Sequence, residues 1–200
     1  MIKISKLLNI NQKIILASKS PRRIKLLKEL GFDFDIKPAN INENISKKLH
    51  PDEYVKHLSY LKAKSVASTA EKNSIIIAAD TTVYLNGEYL NKPKDKTEAF
   101  VILKKLSGNT HQVYTGISII DNANNKVIVD YQKTDVTFRE LEDYEITVYI
   151  ESGSPMDKAG AYGIQDDFGA VFVSHINGCY YNIVGLPIEL LYRKLKELLK

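Results

Sequence analysis

The sequence predicts an α/β protein with a mixed, twisted sheet. Three observations carry this. Strand-length apolar runs alternate with segments of helical periodicity. The run Ile75 to Ala79 is wholly apolar, as in a strand buried on both faces. Asn-Gly pairs at Asn86-Gly87 and Asn177-Gly178 lie between strand-like segments and signal hairpins, so the sheet is not purely parallel.

Taken in order, Met1 to Asn11 reads as a short N-terminal extension, and Lys13 to Ala17 as a buried strand. Ser20-Pro21 opens a helix, with Ser as N-cap and Pro at its first position; Ile24, Leu27 and Leu30 supply the apolar face and Gly31 the stop. Pro51 opens a second helix running to about Ala70. Thr82 to Leu85 and Glu88 to Leu90 form a hairpin about Asn86-Gly87. Asp95 with Glu98 caps a helix ending at Ser107-Gly108. Strands follow at His111 to Ile120 and Lys126 to Phe138, then a helix near Glu142 to Ile150. A Gly-rich loop leads to a second expected hairpin, Ala170 to Ile176 and Cys179 to Val184, turning at Asn177-Gly178. Pro187 starts a C-terminal helix that buries Leu190, Leu191, Leu195 and Leu198. There is no internal repeat or Gly/Ser linker, so residues 1–200 read as a single domain with 1–11 as an extension.

Composition excludes several classes. A hydrophobic content of 44% rules out wholesale disorder. No apolar run approaches the ~20 residues of a membrane span. Met1 to Lys13 lacks the pattern of a signal peptide, and the lone Cys179 has no internal disulfide partner, so the expected compartment is the cytoplasm. The net charge of +4 suits an anionic small molecule and equally a weak nucleic-acid binder. His50, His57, His111 and His175 show no metal-ligand spacing and read as structural; phosphate-loop, dinucleotide and nucleophile-elbow motifs are absent.

The chemistry starts at Ser18-Lys19-Ser20-Pro21-Arg22-Arg23, between a strand and a helix. A helix N-terminus already carries about half a positive charge, so Arg22 and Arg23 are misplaced for stability unless an anion binds there. The alternative is two solvated arginines on an exposed turn. Asp80 ends the apolar run, where a carboxylate is costly unless paired, protonated or bound to metal; it could equally cap a turn. Counting back from the Asn86-Gly87 turn puts Thr81 opposite Lys92, with Asp80 on the other face; a bulge would let Lys92 and Asp80 reach one cleft. Val55, Leu58, Lys62 and Val66 follow 3-4-4 spacing, which puts Lys62 on the apolar stripe, either snorkelling to the surface or reaching into a charged cleft. Glu43, in the polar segment before that helix, could add a second carboxylate. In the loop from Asp157 to Gln165, small residues permit close approach, and Gln165 can both donate and accept, as reading a base edge requires.

Leu16-Ala17-Ser18-x-Ser20-Pro21-Arg22-Arg23, Ala79-Asp80-Thr81, Asn91-Lys92-Pro93, Leu106-Ser107-Gly108, Asp157 to Gln165 and Val184-Gly185-Leu186-Pro187 together resemble the Maf family of nucleotide pyrophosphatases, from about residue 14 to 190. The resemblance implies a two-lobed α/β fold with a central cleft, related to the inosine-triphosphate pyrophosphatases. It implies hydrolysis of a nucleoside triphosphate to the monophosphate and pyrophosphate, in nucleotide-pool cleansing. It casts Asp80 as proton acceptor, and Ser18, Arg22, Arg23, Lys62 and Lys92 as phosphate contacts. Glu43 and Asp80 become the carboxylate pair at a divalent metal, Mg²⁺ or Mn²⁺. Arg22, Thr81 and Gln165 become the positions that separate subfamilies. Ser-Pro-Arg-Arg with Ala-Gly-Ala-Tyr-Gly-Ile-Gln is similar to the branch that prefers dTTP and UTP. A homodimer is a further implication; a membrane or stable nucleic-acid partner is not expected. The chain departs from the pattern at its extension, at Lys19 and at Met156. The rival readings are a 7-methyl-GTP or inosine-triphosphate pyrophosphatase, and a nucleic-acid-binding division regulator.

Overall fold

The structure, a computed structural model, describes residues 3–42, 49–165 and 168–200. Along the chain these form α1 (Ile4–Leu7), β1 (Lys13–Leu16), α2 (Pro21–Glu29), β2 (Phe34–Ile36), α3 (Pro51–Ala67), β3 (Ser74–Leu85), β4 (Glu88–Leu90), α4 (Lys96–Leu106), β5 (Thr110–Asp121), β6 (Lys126–Phe138), α5 (Asp143–Glu151), β7 (Val173–Asn177), α6 (Tyr180–Val184) and α7 (Ile188–Leu198), with 3₁₀ turns at Ser154–Asp157, Ala159–Ala161 and Gly169–Phe172. The seven strands follow the order β2-β1-β3-β5-β6-β7, with β4 pairing β3. β1 runs parallel to β2 and β3, whereas β3-β4 and β6-β7 are antiparallel, so the sheet is mixed as expected. Among the described residues no helix is long and apolar enough to cross a membrane.

The chain divides into two compact units: Met1–Asp80 with Thr115–Gln132 and Gly185–Lys200, and Thr81–Tyr114 with Lys133–Val184. Three of the four boundaries fall inside the long strands β3, β5 and β6, and the fourth follows Val184, the last residue of α6.

In the first unit, α3 packs on one face of the sheet through Ala63 and Val66, which meet Ile15, Ala17, Ile76, Ala78 and Ile120. The approach is close because Gly116 on β5 has no side chain: a Cβ there would lie 2.3 Å from the Val55 carbonyl oxygen of α3. Ser59 of α3 and Ser118 of β5 satisfy each other at 2.9 Å in the same buried layer. α7 buries the four leucines its spacing predicts, Leu190, Leu191, Leu195 and Leu198. Its Lys194 pairs with Asp130 of β6 at 3.1 Å.

In the second unit, the hairpin has the predicted register, Val83↔Leu90, Tyr84↔Tyr89 and Leu85↔Glu88, with Asn86 and Gly87 at φ 48° and 88° as a type I′ turn demands. Pairing stops at Leu90, so Lys92 does not reach the rung opposite Thr81; Asn91 to Pro93 carry no strand structure. Asp95 caps α4 by accepting the Glu98 N–H at 2.8 Å. Glu142 and Glu145 form a reciprocal capping box at α5.

The second expected hairpin is corrected. Residues 169–172 are a 3₁₀ turn, β7 pairs with β6, and Tyr180–Val184 is a helix, not a return strand. Thr134 of β6 decides this. Its hydroxyl accepts the Cys179 N–H at 3.1 Å and donates to the Cys179 carbonyl at 3.2 Å, while Asn182 donates to the same hydroxyl at 2.9 Å. Gly178, at φ 133°, permits this contact, because a Cβ there would lie 2.8 Å from the Thr134 hydroxyl. The backbone after Asn177 is thereby drawn into a turn and a short helix.

Candidate active site

In the first unit the chemistry gathers at the carboxyl ends of β1 and β3, where ligands bind in α/β sheets. Their register pairs Leu16 with Ile77; continued, it brings Ser18 beside Ala79, one residue short of Asp80. Alternation sets the direction of Asp80. Ile76 and Ala78 face α3, so Asp80, the next even residue, turns to the same side. There it meets Lys62, whose Nζ donates to Asp80 Oδ1 at 2.6 Å. Asp80 is 8% exposed, so the pair is largely withdrawn from water. Lys62 therefore pairs with a carboxylate at the inner end of the stripe, with 13% of its side chain exposed.

The segment from Ser18 into α2 is a hydroxyl-lined turn. The Ser18 hydroxyl accepts the Ser20 N–H at 3.1 Å, and the Ser20 hydroxyl, the N-cap, faces the Arg23 N–H at a long 3.5 Å. No acidic residue occupies the first turn of α2, where Arg22 and Arg23 add their charge to the positive end of the helix dipole. Arg23 is anchored: its Nε donates to the Gly185 carbonyl oxygen at 2.8 Å. Nothing local in the sequence foretells this contact, since Gly185, at φ 113°, stands out there only as part of a motif.

Glu43 lies outside the described residues. Among the described residues no group of three His, Cys, Asp or Glu side chains is placed to hold a metal ion. The Asp80 carboxylate is a hard oxygen donor of the kind that divalent cations take.

Thr81, Lys92 and Gln165 belong to the second unit. Thr81 is half-buried on the strand face opposite Asp80, and Lys92 and Gln165 are exposed. The loop leading to Gln165 is tightly built. Gly160 and Ala161 both adopt positive φ, 73° and 57°, and a Cβ on Gly160 would lie 2.9 Å from the Val83 side chain. The Gly163 N–H donates to the Tyr149 hydroxyl at 3.1 Å. Tyr162 shares a 2.8 Å hydrogen bond with His111 Nε2. Burial pushes the His111 imidazole down to about 3 and the Tyr162 phenol up. His111 is therefore a neutral core histidine, as its lack of ligand spacing suggested.

The sequence matches the Maf-like protein family over residues 13–198. The chain belongs to the Maf family. This Maf-family chain is 49% identical over 186 residues to a dTTP/UTP pyrophosphatase of Clostridium perfringens strain SM101, covering 92% of this chain and 96% of that one. It is 50% identical over 185 residues to a dTTP/UTP pyrophosphatase of Thermoanaerobacter sp. strain X514, again covering 92% and 96%. A protein of the same name from Caldicellulosiruptor saccharolyticus is 45% identical over 190 residues, covering 94% of this chain and 95% of that one. Among solved structures, the Staphylococcus aureus Ham1 protein superposes with a TM-score of 0.53 at 19% identity, covering 93% of this chain and 99% of that one. At that identity the likeness bears on the fold alone.

Proposed function

We propose that this Maf-family chain hydrolyses dTTP and UTP to the monophosphate and pyrophosphate, serving the cytoplasmic nucleotide pool. The observation that carries the reading is the buried Asp80–Lys62 pair at the carboxyl end of β3, one strand away from a helix N-terminus that bears two arginines and no acid. The positive charge gathered at the start of α2 suits a polyanion, and a largely buried carboxylate one strand away can take a proton. The names of relatives at 45 to 50% identity over nearly their full length support the substrate assignment.

In this mechanism Arg22, Arg23 and the Ser18 turn hold phosphate oxygens. Asp80 accepts a proton from water as the water attacks phosphorus at the α–β anhydride, and that P–O bond breaks to release pyrophosphate. Lys62 balances the Asp80 charge and fixes which oxygen faces the water. A divalent cation, held by Asp80 with Glu43 as the proposed second carboxylate, would neutralise charge on the phosphate oxygens. Thr81, Lys92 and Gln165 carry the same proposal as substrate contacts of the second unit, Lys92 for phosphate and Gln165 for the base. A homodimer remains an expectation from the family.

The test is pyrophosphate release from a panel of nucleoside triphosphates, including 7-methyl-GTP and ITP, with and without Mg²⁺. Highest kcat/KM for dTTP and UTP, abolished by chelation, is the expected result. A purine preference overturns the substrate assignment, and turnover unaffected by chelation overturns the metal.

A further inference from the structure

The His111–Tyr162 contact is a poor way to build a core. His111 is fully buried, its Nδ1 has no hydrogen-bond partner among the described residues, and its ring stands edge-on to Phe138 at 5.1 Å and to Tyr162 at 5.3 Å. The neutral imidazole carries one N–H and the phenol one O–H, but a single hydrogen bond joins them. Whichever tautomer is present, one polar hydrogen of the pair is left without an acceptor among the described residues. Two apolar rings would fill the same space without that penalty. Stability alone does not account for the pair, so its directionality is what the fold uses.

What it directs is the loop before Gln165. Residues 160 to 164 are all buried and Gln165 emerges exposed. The loop is pinned at Tyr162 by His111 and at Gly163 by the Tyr149 hydroxyl. A third restraint is Gly169, where a Cβ would lie 2.5 Å from the Gly163 carbonyl oxygen and 2.8 Å from the Tyr149 hydroxyl. Ala161 holds a left-handed φ of 57° while fully buried, a conformation that persists only where the surroundings impose it.

Such rigidity has a chemical use. A glutamine amide rotated by 180° exchanges its donor and acceptor. A glutamine amide able to turn over could therefore match the O4 acceptor and N3–H donor of a thymine or uracil, and equally the N4–H donor and N3 acceptor of cytosine. Telling the two apart requires the amide to be presented in one orientation and place. We propose that His111 and Tyr162 are positioning residues for nucleobase selection, their buried hydrogen bond fixing the loop that presents Gln165. The proposal rests on the reading of Gln165 as a base contact.

The experiment compares wild type with Tyr162→Phe and with the double variant His111→Leu/Tyr162→Phe, below the lowest of their melting temperatures. The single change orphans His111 Nε2 as well and can unfold the unit. The double change replaces both partners by apolar groups, which is often nearly neutral for folding. In the double variant KM for dTTP should rise at least about threefold with kcat within about twofold, and the dTTP-to-dCTP ratio of kcat/KM should fall at least about threefold. A folded double variant with wild-type KM and wild-type ratio overturns the proposal. The wild-type panel separates this from the functional reading: if the wild type does not prefer dTTP or UTP, that reading fails, while the change in selectivity between variant and wild type still decides whether the pair positions the loop.

Discussion

Lys62 Nζ lies 2.6 Å from Asp80 Oδ1, with 13% and 11% of the two side chains exposed. The carboxylate therefore has a fixed direction and a counter-charge before any substrate arrives. Replacing Asp80 by Asn keeps the shape but removes the proton acceptor. Turnover should fall by ~10²-fold or more, the range for loss of a general base, while nucleotide binding persists. Single-turnover kinetics and equilibrium binding of a non-hydrolysable triphosphate check both halves. Near-normal turnover would remove Asp80 from the role.

The same pair predicts a stability signature. Lys62→Met leaves Asp80 charged and without its partner in a poorly solvated place, at a cost of about 3 kcal/mol. Adding Asp80→Leu removes the orphaned charge, so the double variant should recover most of the loss while staying inactive. Urea unfolding of the two single variants and the double variant gives the coupling. Additive losses would mean that the contact contributes little in solution.

Arg22 makes the opposite prediction. It sits in the first turn of α2, where its charge opposes the helix dipole. Arg22→Gln should change stability by less than about 1 kcal/mol, yet raise KM for the triphosphate about tenfold or more through the lost phosphate contact. Unchanged KM in a folded variant would return Arg22 to the class of solvated surface residues.

How far the sequence spoke for itself depended on the range of the interactions. The Asn86-Gly87 hairpin, the α4 cap and the leucine face of α7 are set by residues a few positions apart, and the structure has them as read. The 3-4-4 spacing placed Lys62 on the inner face of α3, but its partner emerged only once Ile76, Ala78 and Asp80 were known to share that face. The misread hairpin at Asn177-Gly178 failed for the converse reason: the side chain that bends it, Thr134, lies 45 residues from Cys179 and leaves no local trace. β2 escaped notice because three residues with only Phe34 half-buried carry no periodicity. Arg23 could be placed at a helix start, but not its hold on Gly185, 162 residues away.

Gly116 is a second long-range determinant and yields a prediction of its own. A methyl group there would lie 2.3 Å from the Val55 carbonyl oxygen and 2.4 Å from its carbon, both backbone atoms that cannot swing aside. Gly116→Ala must push α3 away from β5, and should destabilise by about 2–3 kcal/mol, as overpacking does. For a chain of this length that is a drop of roughly 2–4 °C in Tm per kcal/mol. Because α3 carries Lys62, kcat should fall as well. Gly87→Ala is the control, since nothing lies within 4 Å of its added methyl and only the φ of 88° is strained.

Acid should unfold the protein partly through His111. Burial lowers its pKa from 6.5 to about 3 in the folded state, so the folded chain refuses a proton that the unfolded chain binds. The full stability is present above pH 6.5 and is lost as pH falls towards 3, at up to about 1.4 kcal/mol per pH unit. Glu145, drawn down from 4.5 to about 2 by its hydrogen bonds to Arg139, adds a loss of the same sign, but only below 4.5. The window between pH 6.5 and 4.5 therefore isolates the histidine. Across it, urea unfolding of the wild type should lose about 2 kcal/mol more than the His111→Leu/Tyr162→Phe variant, which has no imidazole at this place. Parallel pH profiles for the two proteins would show that the ring is already solvated enough to take up its proton without unfolding.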